Sequence, residues 1–433
     1  MQMHPTDARR DWLADRLPSD QFLVYCFDAP AVPIERVRAD VAARAALIGD
    51  LRTRAVDVPG LLDYPYWTAR EIGDDQFTTH PGGDWGAVTA LLGTLAETGL
   101  DIRDSPWRLH LIPQVTGAPG GDGAALIAVL QVSHAFADGV HASALARALF
   151  GKDVPPRTEP PRAPGPVGML VRAAVKLPGQ VVGVIADGVR ASRAEQELAG
   201  PSVPSPAPGC PLVAVNTAPG TRRTVRTLVC DAADLRRVGT VTVAALTAIG
   251  PALAAFLEVG GDLVEHGLGA EVPVAVPAAG AERNAYRSVG VALRPDIRDT
   301  AERAGAIAAE LELRRRRAVH PAMAARARTE DHVPAPLLRY GTERIDLSVV
   351  PPTVTGNTVV SSVNRGRADL VLGGAAVRFT TGYPSLSPVM ALTHGVHGIG
   401  DTVAVSVTTS PDVLDDAALD RYAELLRASL AGL

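Results

Sequence analysis

The sequence predicts a mixed α/β or α+β fold, and three features carry that reading. Segments with helical apolar spacing alternate with short runs rich in β-branched residues. The run AALIAVLQVS, 124–133, is apolar enough for a central strand covered on both faces. A proline-rich tract, 151–210, divides the chain. With 433 residues, 47% of them hydrophobic and 21% charged, the protein is long enough for two or three domains and is no disordered polyelectrolyte.

Taken in order, Pro18, Ser19 and Asp20 form a turn that feeds a buried strand over 22–27. Residues 36–54 space Val, Ala, Leu and Ile between charges and predict an amphipathic helix. The stretch 59–76 reads as irregular. A second helix over 85–100 carries Val88, Leu91, Leu92 and Leu95 on one face, and a strand follows over 107–115. Gly120–Gly123 punctuates the chain before the central strand, which ends at His134; an Ala- and Leu-rich helix then runs from Gly139 to Phe150. SHAFAD therefore stands where a strand turns into a helix.

In the dividing tract, PPRTEPPRAPGP and GPSVPSPAPGCP flank a less interrupted segment, 169–197, that mixes apolar residues with Arg172, Lys176, Arg190 and Arg193. It is expected to be a crossover helix across two halves, interrupted at Pro178 and Gly179, with a membrane-surface helix as the alternative. Beyond it, 212–229 alternates like a strand and 232–238 suits a short helix. Residues 241–257 carry no charge, yet their alanines and the Gly250–Pro251 pair favour a buried helix over a membrane span. A strand over 272–276 precedes a helix over 300–319, with Glu302 and Glu310 early and Arg314–Arg317 late, as the helix dipole prefers. That arginine run is expected to face solvent, with phosphate or CoA contact as the alternative. Strands at 345–350, 358–363, 376–380 and 402–408 and a helix over 416–430 complete the pattern.

Charge and cysteine usage bound the function. A formal net charge of −5 supplies no general attraction to nucleic acid or anionic lipid, and no zinc-finger or RNA-binding signature accompanies the arginines. Cys26, Cys210 and Cys230 are odd in number and widely spaced, which fits a reducing, cytoplasmic compartment. The charged N-terminal residues, from His4 to Asp11, are unlike a secretory signal.

The chemistry concentrates in SHAFADGV, 133–140. A neutral His134 accepts a proton near physiological pH, whereas Ser133 has no neighbouring arrangement that makes it a nucleophile. Asp138 is expected to fix the turn, and Gly139 lets the backbone pass close beside the site. The reaction this permits is direct acyl transfer from a thioester to an alcohol, with His134 as base and an oxyanion donor that the sequence does not identify. Neither His134, Asp138 and His141 nor His394, His397 and Asp401 makes a metal motif, and no metal is expected.

These residues resemble the bacterial wax ester synthase/diacylglycerol acyltransferase family, within the CoA-dependent acyltransferases and condensation domains. SHAFADG is similar to its HHxxxDG motif; LPSDQFLVYCF, the 101–110 segment, Pro219–Arg222 and Asn284 extend the likeness along most of the chain. The resemblance implies a two-lobed sandwich like chloramphenicol acetyltransferase with a tunnel between the lobes. Fatty acyl-CoA would enter from one side and a diacylglycerol or long-chain alcohol from the other, with no tightly bound cofactor. It gives His134 the role of general base and Asp138 an organising role, and it leaves Ser133 where the motif has its first histidine. VVSSVNRG resembles an SNVPGP-like region with Ser362 in place of the asparagine. MALTHGVHGIGDTVAVSV resembles the late strands that close the acyl tunnel, with Gly395, Gly398 and Gly400 as turn residues.

On this reading 1–150 forms the N-terminal lobe, 151–210 the crossover and 211–433 the C-terminal lobe. The expected place is the cytoplasm, with peripheral contact at the inner membrane or a lipid droplet; oligomeric state stays open. Two alternatives stand beside it: a non-catalytic acyl-CoA-binding relative, motivated by Ser133, and a condensation-type enzyme using another hydroxyl or a carrier-bound donor.

Overall fold

A computed structural model describes residues 1–259, 267–278, 280 and 282–433. Its strands are β1 (Gln21–Asp28), β2 (Thr53–Val56), β3 (Tyr66–Ala69), β4 (Phe77–Thr79), β5 (Trp107–Val115), β6 (Ala125–Val132) and β7 (Thr224–Asp231). They continue with β8 (Gly269–Ala275), β9 (Tyr286–Ala292), β10 (Thr358–Asn364), β11 (Val371–Leu372), β12 (Ala375–Gly382), β13 (Leu392–Ile399) and β14 (Thr402–Thr409). The helices are α1 (Pro5–Ala14), α2 (Ile34–Ala45), α3 (Trp85–Leu95), α4 (Gly139–Phe150), α5 (Pro166–Leu198) and α6 (Ala232–Leu235). After them come α7 (Val241–Val259), α8 (Thr300–Ala318), α9 (Pro321–Ala327), α10 (Ala335–Glu343) and α11 (Asp416–Ala431).

Two six-stranded sheets organise the two lobes. The first has the order β11-β12-β1-β6-β5-β4 and the second β7-β14-β13-β10-β8-β9. Every residue of β6 is buried, as its unbroken apolar run requires of a strand with both faces covered. One core fills the first lobe around Trp67, Trp107, Phe136 and Phe150; another fills the second around α7, α11 and β14. A third cluster joins Phe22, Leu92 and Phe379 to Val225 and Ala404 and forms an apolar seam between the lobes.

Beyond the crossover between α4 and β7, the chain passes between the lobes twice more. After β10 it leaves the second sheet, adds β11 and β12 to the edge of the first, and returns as β13. β12 pairs antiparallel with β1, setting Gly382 opposite Leu23. Segment 211–433 thus contributes to both lobes, because the unpaired edge of β1 is satisfied by a strand from the C-terminal half.

Local differences from expectation have local causes. The helix expected over 36–54 stops at Ala45, and β2 begins at Thr53; the intervening Gly49 donates its N–H to Thr158 Oγ1 at 2.6 Å. Residues 59–76, expected to be irregular, contain β3, which pairs with β2. The strand expected over 345–350 is absent: Asp346 Oδ1 accepts from Ser348 N at 2.9 Å, a turn forms, and Val349 and Val350 stay exposed before a proline pair. Gly395 and Gly398 lie within β13, and only Gly400, with φ +56°, sits in the turn. A Cβ on Gly395 would stand 2.4 Å from the Gly382 carbonyl oxygen, so the lobes' close approach, not a turn, demands that glycine. α5 runs unbroken through Pro178. Of the arginine run, Arg314 bonds the Ser205 carbonyl at 2.6 Å and Arg317 the Pro204 carbonyl at 2.8 Å, tying the crossover to α8.

Candidate active site

SHAFADG is the turn between β6 and α4, and each of its side chains has a separate task. Ser133 is buried and turned into the loop: its Oγ accepts from Ala135 N at 3.3 Å and its N–H bonds the Pro106 carbonyl at 2.9 Å. Asp138 is the N-cap of α4. One carboxylate oxygen accepts from Val140 N at 3.1 Å and His141 N at 2.8 Å, the other from Ala285 N at 3.2 Å. The aspartate therefore fixes the helix start and ties it to the loop before β9. At Gly139 a Cβ would meet Val363 Cγ2 at 3.3 Å, so the absence of a side chain lets α4 approach β10 across the lobes.

His134 stands half-buried on the wall of the interlobe cleft. Its Nδ1 lies 2.8 Å from Asn284 Oδ1. Asn284 donates both amide hydrogens elsewhere, to Asp7 Oδ1 at 2.8 Å and to the His134 carbonyl at 2.8 Å. Since neither of those partners donates, the asparagine oxygen must face the ring, Nδ1 must carry the proton, and Nε2 is left with its lone pair. Asp7 is held in turn by Arg283 N at 2.9 Å, and burial pushes its carboxyl pKa up. Burial, with Arg10 adding repulsion, lowers the His134 pKa to about 4, so the ring is a neutral base at neutral pH.

The Tyr286 hydroxyl lies 3.3 Å from His134 Nε2, and Arg10 donates to the same phenol oxygen at 2.8 Å. The guanidinium also lies over the Tyr286 ring, 5.2 Å from its centre. With the phenol oxygen accepting from Arg10, its proton is free to point at Nε2.

The cleft measures about 290 Å³ and lies between the lobes. From the first lobe come His134, Val140 and Phe22; from the second come Tyr286, Ser361, Ser362, Arg365 and His397. Thr242 donates to Ser362 Oγ at 2.9 Å, which leaves the Ser362 hydroxyl proton available. Phe22, Tyr383, Pro384 and Ser385 also line a small adjoining pocket of about 20 Å³ flanked by Leu92, Ala96 and Val225.

The arrangement sets a neutral imidazole with an unprotonated Nε2 on the wall of an interlobe cleft, and a protein-family model decides what it is part of. The model of the wax ester synthase/diacylglycerol acyltransferase catalytic domain matches residues 23–249, more than half of the chain. The chain belongs to that family. It is an acyltransferase of the wax ester synthase/diacylglycerol acyltransferase type, with the two-lobed fold of that group.

Among solved structures, this acyltransferase is similar to the wax ester synthase/diacylglycerol acyltransferase of Marinobacter aquaeolei VT8. That likeness has 20% identity, covers 100% of both chains and has a TM-score of 0.63. It is also similar to the starter condensation domain of rhizomide synthetase RzmA solved with C8-CoA and Leu-SNAC, at 13% identity, over 100% of this chain and 94% of that one, with a TM-score of 0.56. The same domain solved with C8-CoA alone matches at 14% identity over 99% and 94%, with a TM-score of 0.53. No curated protein sequence matches.

Two further histidines of the acyltransferase, His141 and His394, are engaged locally. His141 pairs with Asp50 at 2.9 Å, on the far side of the Asp138 cap. His394 bonds Tyr422 at 2.6 Å and Thr358 at 2.8 Å in the second core, while His397, three residues along β13, lines the cleft. Among the described residues no three His, Cys, Asp or Glu side chains gather as a metal would require.

Asp7, Arg10 and Tyr286 were not legible as site residues in the sequence. Asp7 and Arg10 lie on α1, in a stretch with no apolar period strong enough to announce a helix; Pro5 at its first turn was the one usable signal.

Proposed function

We propose that the protein transfers a fatty acyl group from acyl-CoA to the hydroxyl of a diacylglycerol or long-chain alcohol, with His134 as general base. The observation that carries this reading is the fixed tautomer of His134, whose unprotonated Nε2 faces the interlobe cleft.

In the proposed step the alcohol oxygen attacks the thioester carbonyl while Nε2 takes the hydroxyl proton. The tetrahedral intermediate collapses, the C–S bond breaks, and the imidazolium returns the proton to the departing thiolate, giving ester and free CoA. A site that keeps the imidazolium pKa low favours that return. Ser361 and Ser362 also line the cleft, and their hydroxyl groups are donors of the kind a developing oxyanion needs. C8-CoA in the rhizomide condensation domain is a precedent for a CoA thioester on this fold.

Purified protein given radiolabelled palmitoyl-CoA with a panel of long-chain alcohols and diacylglycerols tests the proposal. Labelled ester that requires His134 supports it; binding of both substrates with no ester from any acceptor overturns it.

A further inference from the structure

Among the described residues, two helices are long and apolar enough to span a membrane, and they differ in burial. Over their most apolar 18 residues, 67% of α7 is buried but only 11% of α5. The second core explains the composition of α7; no core explains that of α5.

Val167, Val171, Val175, Val182, Ile185 and Val189 recur on one face of α5, within about 80° of arc at 100° per residue. They are 75%, 57%, 74%, 68%, 68% and 48% exposed. The opposite face holds the helix on the protein. Met169 packs on Val58 and Tyr66, Leu198 packs near Val203 and Ala322, and buried Asp187 bonds His332 at 2.7 Å. These contacts recur along the helix, so α5 lies flat along the molecule for about 50 Å and presents its apolar stripe sideways. It does not stand free as a span.

Charge identifies the occupant. Along α5, Arg172, Lys176, Arg190 and Arg193 stand against Asp187, Glu195 and Glu197; Lys176 is paired with buried Asp63 at 3.0 Å and Arg190 with Asp187, which leaves Arg172 and Arg193 as the arginines beside the stripe. An anionic bilayer would neutralise them while its acyl region covers the valines. We infer that α5 is a membrane-docking helix that binds anionic phospholipid bilayers in the interfacial plane. The inference rests on the exposed stripe and not on the proposed chemistry, though it would bring the cleft to the phase where lipid acceptors reside.

The test is sedimentation of the full chain with phosphatidylcholine vesicles with and without about 30% phosphatidylglycerol. Wild type is expected to bind the anionic vesicles, less so as salt rises. The quadruple variant Val171→Ser, Val175→Ser, Val182→Ser, Ile185→Ser is expected to lose at least about tenfold in partitioning, with its circular-dichroism melt unchanged because every replaced side chain is exposed. Arg172→Glu with Arg193→Glu is expected to lose the preference for anionic lipid. Equal binding by wild type and the quadruple variant overturns the inference, as does absence of wild-type binding or a solution dimer that the quadruple variant dissolves. Turnover of a water-soluble short-chain acyl-CoA and alcohol, read in parallel, keeps the questions apart: vesicle binding without turnover leaves docking intact and counts against the acyl-transfer proposal.

Discussion

Asn284 accepts the His134 ring proton at 2.8 Å across a sequence separation of 150 residues, while both of its own amide hydrogens are committed to Asp7 and the His134 carbonyl. The asparagine thereby fixes which imidazole nitrogen faces the cleft. Asn284→Ala is expected to lower kcat by roughly tenfold to a hundredfold, a fraction of what general-base catalysis supplies, with little change in acceptor KM. Nitrogen NMR of the histidine ring checks the cause: wild type should have an unprotonated Nε2, and the variant a mixture of tautomers.

The acid limb of the activity profile follows from the lowered His134 pKa. Its base form persists down to about pH 4 in the folded protein, so kcat/KM is expected to hold through pH 6 and fall as pH drops toward 4. An acid limb near 6.5 would mean that substrate entry rehydrates the imidazole.

Stability has its own pH dependence. Burial lowers His110 and His134 to about 4 and His394 to about 3, whereas the unfolded chain protonates histidine near 6.5. Below 6.5 these histidines bind more protons in the unfolded state, so their contribution to stability falls with pH through the window from 6.5 to about 3, opposed by the smaller contribution of Asp20, whose carboxyl pKa is pushed up to about 6 by burial. Thermal melts across that window should drop on the order of 10 °C. His394→Asn, which retains hydrogen-bonding groups and does not titrate, should lessen the drop.

Tyr286 places its hydroxyl 3.3 Å from Nε2, on the lone pair that the acceptor alcohol needs. Tyr286→Phe is expected to lower acceptor KM a few-fold and leave kcat within about threefold, as expected when a competing ground-state contact is removed. A hundredfold loss of kcat would instead make the phenol part of the proton path.

The interlobe contact at β13 separates two glycines. A Cβ at Gly395 would meet the Gly382 carbonyl oxygen at 2.4 Å, whereas at Gly398 the nearest atom is 3.7 Å away. Gly395→Ala is expected to cost at least about 2 kcal/mol by overpacking and Gly398→Ala well under that, measured by urea unfolding.

What could be read in advance was local. β6, the SHAFADG turn and α4 form one continuous strand–turn–helix, so apolar runs and turn residues located them, as did the cap residue Asp138. The partners that give His134 its tautomer come from α1 and the loop before β9, and no period or spacing in one sequence reports a contact made through the folded lobes. The same limit hid the pairing of β12: a strand was expected over 376–380, but not its place beside β1 in the first sheet. β13 was misread for a related reason: its glycines answer to a neighbouring strand and carry no local signal that tells a close approach from a turn. The burial of α7 was legible in its uncharged, alanine-rich run, whereas for α5 the sequence left a packed crossover helix and a membrane-surface helix both open, and only the fold shows its valines exposed.

The most direct measurement is mass spectrometry of the products formed from palmitoyl-CoA and a mixed pool of lipid alcohols by wild-type protein and by His134→Ala of equal thermal stability. A single new ester mass with wild type, reduced at least about a hundredfold in the variant, is the expected result. The same ester formed at the same rate by His134→Ala would contradict the assignment of His134 as the base.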